Sequence, residues 1–397
     1  MRRHRPVALI AGAALLLGAC DEGGPGEQRP PGEVPTPSPS PPATGDGQDD
    51  DLPREVPDGE EEAQGGEDGE DDGEGDSPVE WSVSEVATGL EVPWDVIEHD
   101  GRVLVTERDR GRLIEIGPGS AGTEVRTFDI DPAGEGGLLG LASDGDALFV
   151  HYTGGDGNRV VRLDDVDDGD EIPLVTGIPK GPTHNGGRLA IGPDDLIYIG
   201  TGDAGDASLA ADPGSLAGKI LRVDRDGEVP HDNPYDGSPV YSLGHRNVQG
   251  LAFDGEVRLW AAELGPDRDD EINLIEAGAD YGWPEVTGAP GVDGLVDAAF
   301  VAQPAEASWS GATIPDGSAI PQWDGSLLVT GLRGQQLWRL ELDGDRVTGS
   351  ETLLTGEYGR LRTARVAPDG AIWLLTSNRD GRGSPASNDD RLLRVGP

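Results

Sequence analysis

From Trp81 onward the chain repeats one unit six times. A turn carrying Asp-Gly or a similar pair leads into an alternating apolar strand. After a variable loop comes a second strand, often ending apolar-apolar-Arg-apolar. The copies begin at Asp100-Gly101, Asp144-Gly145, Asp194-Asp195, Asp254-Gly255, Asp324-Gly325 and Asp369-Gly370. Their first strands read VLVTE, ALFVHY, LIYIGTG, VRLWAAE, SLLVTG and AIWLLTS. Their second strands read GRLIEI (111–116), NRVVRL (158–163), GKILRV (218–223), DEINLI (270–275), QQLWRL (335–340) and DRLLRV (390–395). Alternation with period two puts one face of each strand in a core, and Asp and Gly supply the turns. Units spaced roughly 45 to 70 residues apart match a propeller, whose four-stranded blades take about 40–50 residues plus insertions. The expectation is an all-β, six-bladed β-propeller over residues 81–397, its ring closed by the strand near Trp81–Ala87. A β-sandwich would be shorter and less periodic.

The segments before the repeat have a different composition. Residues 1–20 start with arginines, continue with a short apolar run and end Leu17-Gly18-Ala19-Cys20, which reads as a lipoprotein signal peptide with Cys20 as the lipidated residue. The expected location is the outer face of a bacterial cell membrane, reached only through that lipid. Residues 21–80 carry 21 Asp or Glu against two Arg and are full of Pro, Gly and Ser. Such a segment cannot bury enough apolar surface to offset its ordering entropy, so it reads as a disordered, self-repelling linker. The whole chain has a formal charge of -46, which argues against nucleic acid or a bare anionic membrane surface as partner. A single cysteine leaves no intramolecular disulfide and no cysteine metal site, and the six histidines show no His-x-x-x-His spacing.

The stretch from Thr183 to Asp203 concentrates polar chemistry. Leu196–Ile199 reads as a buried strand behind a Pro193-Asp194-Asp195 turn. If the neighbouring strands are antiparallel, His184 and Asp203 share one edge of the sheet. There a carboxylate would fix the histidine's tautomer and raise its basicity. On this stretch alone, a satisfied loop histidine fits as well. The remaining candidates are also in loops: Arg246-Asn247, Gly265-Pro266, Arg333, and the pair Arg360 and Arg362, which face one side of an extended segment. Guanidiniums gathered at one channel mouth would form a positive pocket in an acidic protein, suited to a compact polyanion. Taken singly, each arginine also fits pairing with a nearby acid.

Several segments together resemble the glucose/sorbosone dehydrogenase family, the soluble quinoprotein aldose dehydrogenases. They are Gly89–Asp95, Gly134–Gly140, His184-Asn-Gly-Gly-Arg188, Gly202-Asp203, Gly244-His-Arg-Asn247, Glu263-Leu-Gly-Pro266, Asp270–Leu274 and Tyr281-Gly-Trp-Pro284. The resemblance implies a six-bladed propeller holding pyrroloquinoline quinone (PQQ) and calcium, with a sugar as substrate and an electron acceptor that the sequence does not identify. It implies His184 as catalytic base, Asp203 as the acid orienting it, and Arg246 and Asn247 along the quinone. Arg360 and Arg362 would hold the PQQ carboxylates, and Arg333 falls where glucose dehydrogenases of the family have a lysine. The backbone carbonyls of Gly265 and Pro266 would hold calcium, with a second calcium at Glu271 and Tyr281. Glu135 departs from the family, standing where its glucose dehydrogenases have an amide. In the poorly matching 285–321 segment, Trp309 is the candidate aromatic over the cofactor. The implied reaction is oxidation at the anomeric carbon by hydride transfer to the quinone. The alternative is a propeller of the same fold that binds sugar or protein without redox chemistry. A lactonase would need side-chain carboxylates and amides around a catalytic calcium, and no such set is evident.

Overall fold

In the computed structural model, residues 78–117 and 122–397 are described; the expected signal peptide with Cys20, and the linker up to residue 77, lie outside them. The described chain opens with β1 (Ser82–Thr88) and builds five sheets in sequence order. The first holds β2 (Pro93–His99), β3 (Arg102–Glu107), β4 (Arg112–Ile116) and β5 (Thr123–Thr127). The second holds β6 (Leu138–Ser143), β7 (Leu148–Gly154), β8 (Gly157–Leu163) and β9 (Ile172–Ile178). The third holds β10 (Leu189–Ile191), β11 (Ile197–Gly200), β12 (Lys219–Val223) and β13 (Val240–Leu243). The fourth holds β14 (Val248–Phe253), β15 (Leu259–Glu263), β16 (Asp270–Ile275) and β17 (Phe300–Ala302), and the fifth β18 (Trp309–Thr313), β19 (Leu327–Gly331), β20 (Gln336–Asp343) and β21 (Arg346–Leu353). The sixth combines β22 (Leu361–Val366), β23 (Ile372–Thr376) and β24 (Arg391–Gly396) with β1, which pairs antiparallel to β24 from Ser82↔Gly396 to Thr88↔Arg391. The chain is therefore a six-bladed β-propeller whose ring is closed by its first described strand.

The six repeats are the second and third strands of each blade. These central strands are apolar on both faces because every sheet is sandwiched between two others. In β7, Phe149 joins a core with Leu189, Ile199 and Leu221 of the third blade, while Leu148 and Val150 join Leu104 and Leu113 of the first. One such cluster fills each of the six gaps between neighbouring blades. Fully burying a Leu, Ile or Phe contributes about 1.5–3 kcal/mol, so the gaps carry most of the folding free energy. The Asp of the turn before β15 closes that turn: Asp254 Oδ1 accepts from the Glu256 amide at 3.0 Å, the local bond that makes aspartate a turn former.

The innermost strands converge on a channel and need small or charged residues there. A side chain on Gly140 would put its Cβ 2.1 Å from the Gly187 carbonyl oxygen. Across the channel, buried Asp95 of β2 pairs with Arg188 at 2.8 Å and with Arg365 of β22 at 2.8 Å. Burial pulls the Asp95 carboxyl upward, but the two guanidiniums outweigh it and hold it below the usual carboxylate range. Blades one, three and six are tied together by that one carboxylate.

His151 on β7 is fully buried and neither ring nitrogen has a partner. Burial pushes its pKa down to about 3, so the folded protein keeps it neutral while the unfolded chain protonates near pH 6.5. Stability tied to this residue is therefore complete above pH 6.5 and is lost as pH falls toward 3, by about 5 kcal/mol in all. His151→Leu should flatten the acid limb of urea-unfolding stability between pH 6.5 and 4 relative to wild type. Parallel curves for the two proteins would show that His151 is not held neutral.

Candidate active site

The connections entering each blade, and those between its second and third strands, meet at one end of the ring. Main-chain bonds stitch neighbouring connections together: the Asp203 amide donates to the Arg246 carbonyl at 2.8 Å, and the Ala204 amide to the His184 carbonyl at 3.0 Å. His184 sits just before β10 and Asp203 just after β11, and the antiparallel register Leu189↔Ile199 brings them to the same edge. The His184 Nδ1 lies 2.7 Å from Asp203 Oδ1. The approach is so close that a Cβ on Gly202 would stand 2.1 Å from the His184 carbonyl oxygen, which explains glycine there.

His184 itself has a left-handed backbone, φ 57°, a conformation that costs a non-glycine residue energy and needs support. Two bonds supply it. The His184 amide donates to Glu135 Oε2 at 2.9 Å, and the Gly186 amide donates to Asn247 Oδ1 at 3.0 Å. Asp203 is almost fully buried. Its Oδ1 also accepts from the Gly205 amide at 2.7 Å, and its Oδ2 from the Trp283 indole at 2.9 Å. Burial alone would raise the Asp203 pKa, but bonds from His184, Gly205 and Trp283 bring it below the ordinary value. With Nδ1 engaged by a carboxylate, the imidazole presents Nε2, which has no hydrogen-bond partner among the described residues.

Arg246 approaches the same mouth from the loop between β13 and β14. Its Nη1 donates to the carbonyls of Leu264 at 3.0 Å and Gly265 at 2.7 Å, and its guanidinium lies 5.4 Å from the centre of the Trp283 ring. Its Nε is buried without a partner, and burial lowers its pKa. The loop is anchored from below: the Arg246 amide donates to Glu263, whose other oxygen meets His245 Nδ1 at 2.9 Å, while His245 Nε2 meets Ser242 at 2.8 Å.

Arg360 and Arg362 do converge, on Asp380. Arg360 reaches its Oδ2 at 2.8 Å and Arg362 at 3.8 Å. Arg362 also donates to Gln249 Oε1 at 2.8 Å, yet its Nε is buried and unpartnered. Burial pushes the Arg362 pKa down to about 9. Two buried guanidiniums thus share one carboxylate, leaving net positive charge and an orphan donor. Asp380 Oδ1 caps the Arg382 amide at 2.9 Å, and Arg382 crosses to Glu135 at 2.7 Å. Arg333, in the loop after β19, is exposed and has no such partner among the described residues.

The metal candidates are less gathered. The Gly265 amide donates to Asp270 Oδ1 at 2.8 Å, and burial raises the Asp270 pKa to about 6. The Gly265 carbonyl already accepts from Arg246; its second lone pair remains for a cation. Glu271 accepts from the Gly288 amide at 2.6 Å, whereas the Tyr281 hydroxyl donates to the Leu274 carbonyl at 2.6 Å and its ring stacks on His245. The two side chains share no bond. Among the described residues, no cluster of three His, Cys, Asp or Glu side chains forms a metal site.

One expectation is corrected. Trp309 has no exposed surface and packs against Phe300 and Trp338 in the core between blades four and five, so it cannot cover a ligand. Its place at the start of β18, with an apolar partner on each side, fixes it there. Sequence reasoning also missed Trp283 and Asp380. Trp283 was visible only as part of Tyr281-Gly-Trp-Pro284, and Asp380 sits in a polar turn that no spacing links to the arginines.

The support of His184 can be tested by its energetics. Arg382 is 58% exposed, so Arg382→Gln should cost no more than about 1 kcal/mol of stability. Glu135→Ala strands the His184 amide and should cost about 1–3 kcal/mol. Equal losses in urea unfolding would show that Glu135 acts only through Arg382.

The profile of the Glucose / Sorbosone dehydrogenase family matches residues 90–393. Among solved structures, the PQQ-bound form of aldose sugar dehydrogenase from Streptomyces coelicolor is 42% identical, with a TM-score of 0.74 over 81% of this chain and 99% of that one. A putative oxidoreductase (glucose dehydrogenase) from Thermus thermophilus is 39% identical, with a TM-score of 0.72 over 80% of this chain and all of that one. Quinoprotein glucose dehydrogenase B of Acinetobacter calcoaceticus is 35% identical over 234 residues, 48% of this chain and 49% of its own length.

Proposed function

The chain belongs to the glucose/sorbosone dehydrogenase family, and from that premise we propose that it oxidises an aldose, or a sorbosone-like sugar, at the anomeric carbon with PQQ and calcium. One observation carries the reading. A His184–Asp203 pair at 2.7 Å shares its end of the ring with two guanidiniums, Arg246 and Arg362, that each bury an unpartnered Nε. Unsatisfied buried donors are costly, and a ligand with several anionic oxygens would satisfy them.

PQQ, when bound, supplies the two-electron acceptor that no amino-acid side chain offers. Arg360 and Arg362 would hold its carboxylates, with Arg333 at the rim, and Arg246 and Asn247 would line it. The Gly265 and Pro266 carbonyls are hard oxygen donors of the kind calcium takes. The His184 Nε2 takes the proton of the anomeric hydroxyl. Asp203 keeps the opposite proton on Nδ1 and stabilises the imidazolium that forms. Arg246 adds fixed positive charge in a site largely shielded from water, where it counts most. Separately, the Leu17-Gly18-Ala19-Cys20 sequence supports a lipid at Cys20 that holds the mature protein on the outer face of the cell membrane; labelling with radioactive palmitate should then be lost in Cys20→Ala.

Reconstitution tests the main claim. Full-length protein given PQQ and calcium should oxidise aldoses with a dye as acceptor, and a chelator should remove that activity. His184→Ala should lower turnover by about 10²–10⁴-fold and leave PQQ affinity, followed by absorbance, within about threefold. Arg360→Ala with Arg362→Ala should weaken PQQ binding at least tenfold. Wild-type protein that neither binds PQQ nor oxidises any aldose would point instead to a binding propeller.

A further inference from the structure

Trp283 touches both halves of this site. Its indole Nε1 donates to Asp203 Oδ2 at 2.9 Å, on the side of the carboxylate away from His184. Its ring lies under the guanidinium of Arg246, 5.4 Å from centre to Cζ. Its main chain is pinned to the arginine's own loop, because the Trp283 amide donates to the Gly244 carbonyl at 3.0 Å and the Tyr281 amide to the Leu243 carbonyl at 3.0 Å. The indole thus belongs mechanically to the loop carrying Arg246, and its N–H reaches out of that loop to the acid of the base pair.

The consequence follows from torsions. The last torsion of an aspartate is broad, so a carboxylate held at one oxygen can swing. Asp203 Oδ1 is fixed by His184 and Gly205, but the indole is the one hydrogen-bond donor to Oδ2 among the described residues. Without it, a nearly fully buried oxygen would lack a partner, and the plane of the carboxylate would turn to find one. The bond that selects the His184 tautomer would then lose its alignment.

Resting on the reading of His184 as the base, we infer that Trp283 is a positioning residue that locks the Asp203 carboxylate to the Arg246 loop, setting base and guanidinium at one fixed separation. A packing role alone would affect stability. A positioning role affects the imidazole and the rate.

Trp283→Phe keeps an aromatic ring near Arg246 but deletes the N–H together with part of the indole; Trp283→Leu deletes the aromatic face as well. In unloaded full-length protein, ¹⁵N-resolved NMR should show wild-type His184 in a single tautomer with its proton on Nδ1, the ring signals being assigned by their absence in His184→Ala. Trp283→Phe should show a tautomer mixture. With PQQ, calcium and an aldose, its kcat should fall about 10–100-fold while KM for the sugar stays within about threefold, the size expected when a reacting group is misplaced. Trp283→Leu should in addition weaken PQQ binding. An unchanged tautomer and unchanged kcat in folded Trp283→Phe would overturn the inference. Should that variant not fold, His184→Ala decides. The Trp283 indole proton resonance of folded His184→Ala should be displaced from its wild-type position, and a resonance indifferent to that substitution would refute the link. Absence of dehydrogenase activity in the wild type would remove the functional reading and still leave the NMR result to judge Trp283.

Discussion

A β-sheet that is apolar on both faces cannot end a protein; something must cover each side. Six twisted sheets meet that demand by covering one another in a circle. The circle works only if its last gap is filled, and here one strand from the start of the described chain, β1, completes the sixth sheet. Everything functional follows from this closure. Once both faces of every blade are committed to packing, only the strand ends remain free to vary, and the loops at one end of the channel carry the unusual chemistry.

The channel turns charge into a resource. The sequence as a whole is strongly acidic, with a formal charge of -46, yet the inner strands and their loops collect guanidiniums. Some are paired inside the fold: Asp95 serves Arg188 and Arg365. That arrangement is structural, since the carboxylate binds blades together. The arrangement at Arg360 and Arg362 is different. Asp380 also faces two guanidiniums, but Arg362 stands 3.8 Å from it and keeps a buried Nε with no partner, and burial lowers the Arg362 pKa to about 9. On the proposed reading, that unpartnered donor is where an anionic ligand would bond.

Much of the fold could be read from the residues because the central strands of each blade are its most regular part. Their alternation survives in every copy, so the number of blades and the closing strand were both legible. The innermost and outermost strands were not. β10 has three residues, and β14, β18 and β22 carry register shifts that blur any period. At the site, His184 and Asp203 were legible because both flank one hairpin. Trp283 and Asp380 were not, because their partners come from other loops of the ring and no local spacing encodes them. Trp309 was misassigned for a related reason: a tryptophan in an unmatched segment looks available until its neighbours are known to be Phe300 and Trp338.

The supports of the His184–Asp203 pair differ in kind. Glu135 holds the His184 backbone from the second blade and is itself held by an exposed arginine of the sixth. That connection is ionic and screened by salt, so it tolerates adjustment. Asn247, between β13 and β14, and Trp283, between β16 and β17, bond instead through an amide oxygen and an indole N–H that are largely shielded from water, the indole to the Asp203 carboxylate. Such bonds are short-ranged and directional, and they resist displacement more than they steer it. These bonds hold the pair on the side of Arg246, while the His184 Nε2 has no hydrogen-bond partner among the described residues. On the proposed reading, a site that moves a proton beside a fixed positive charge is served by holding the pair on that side.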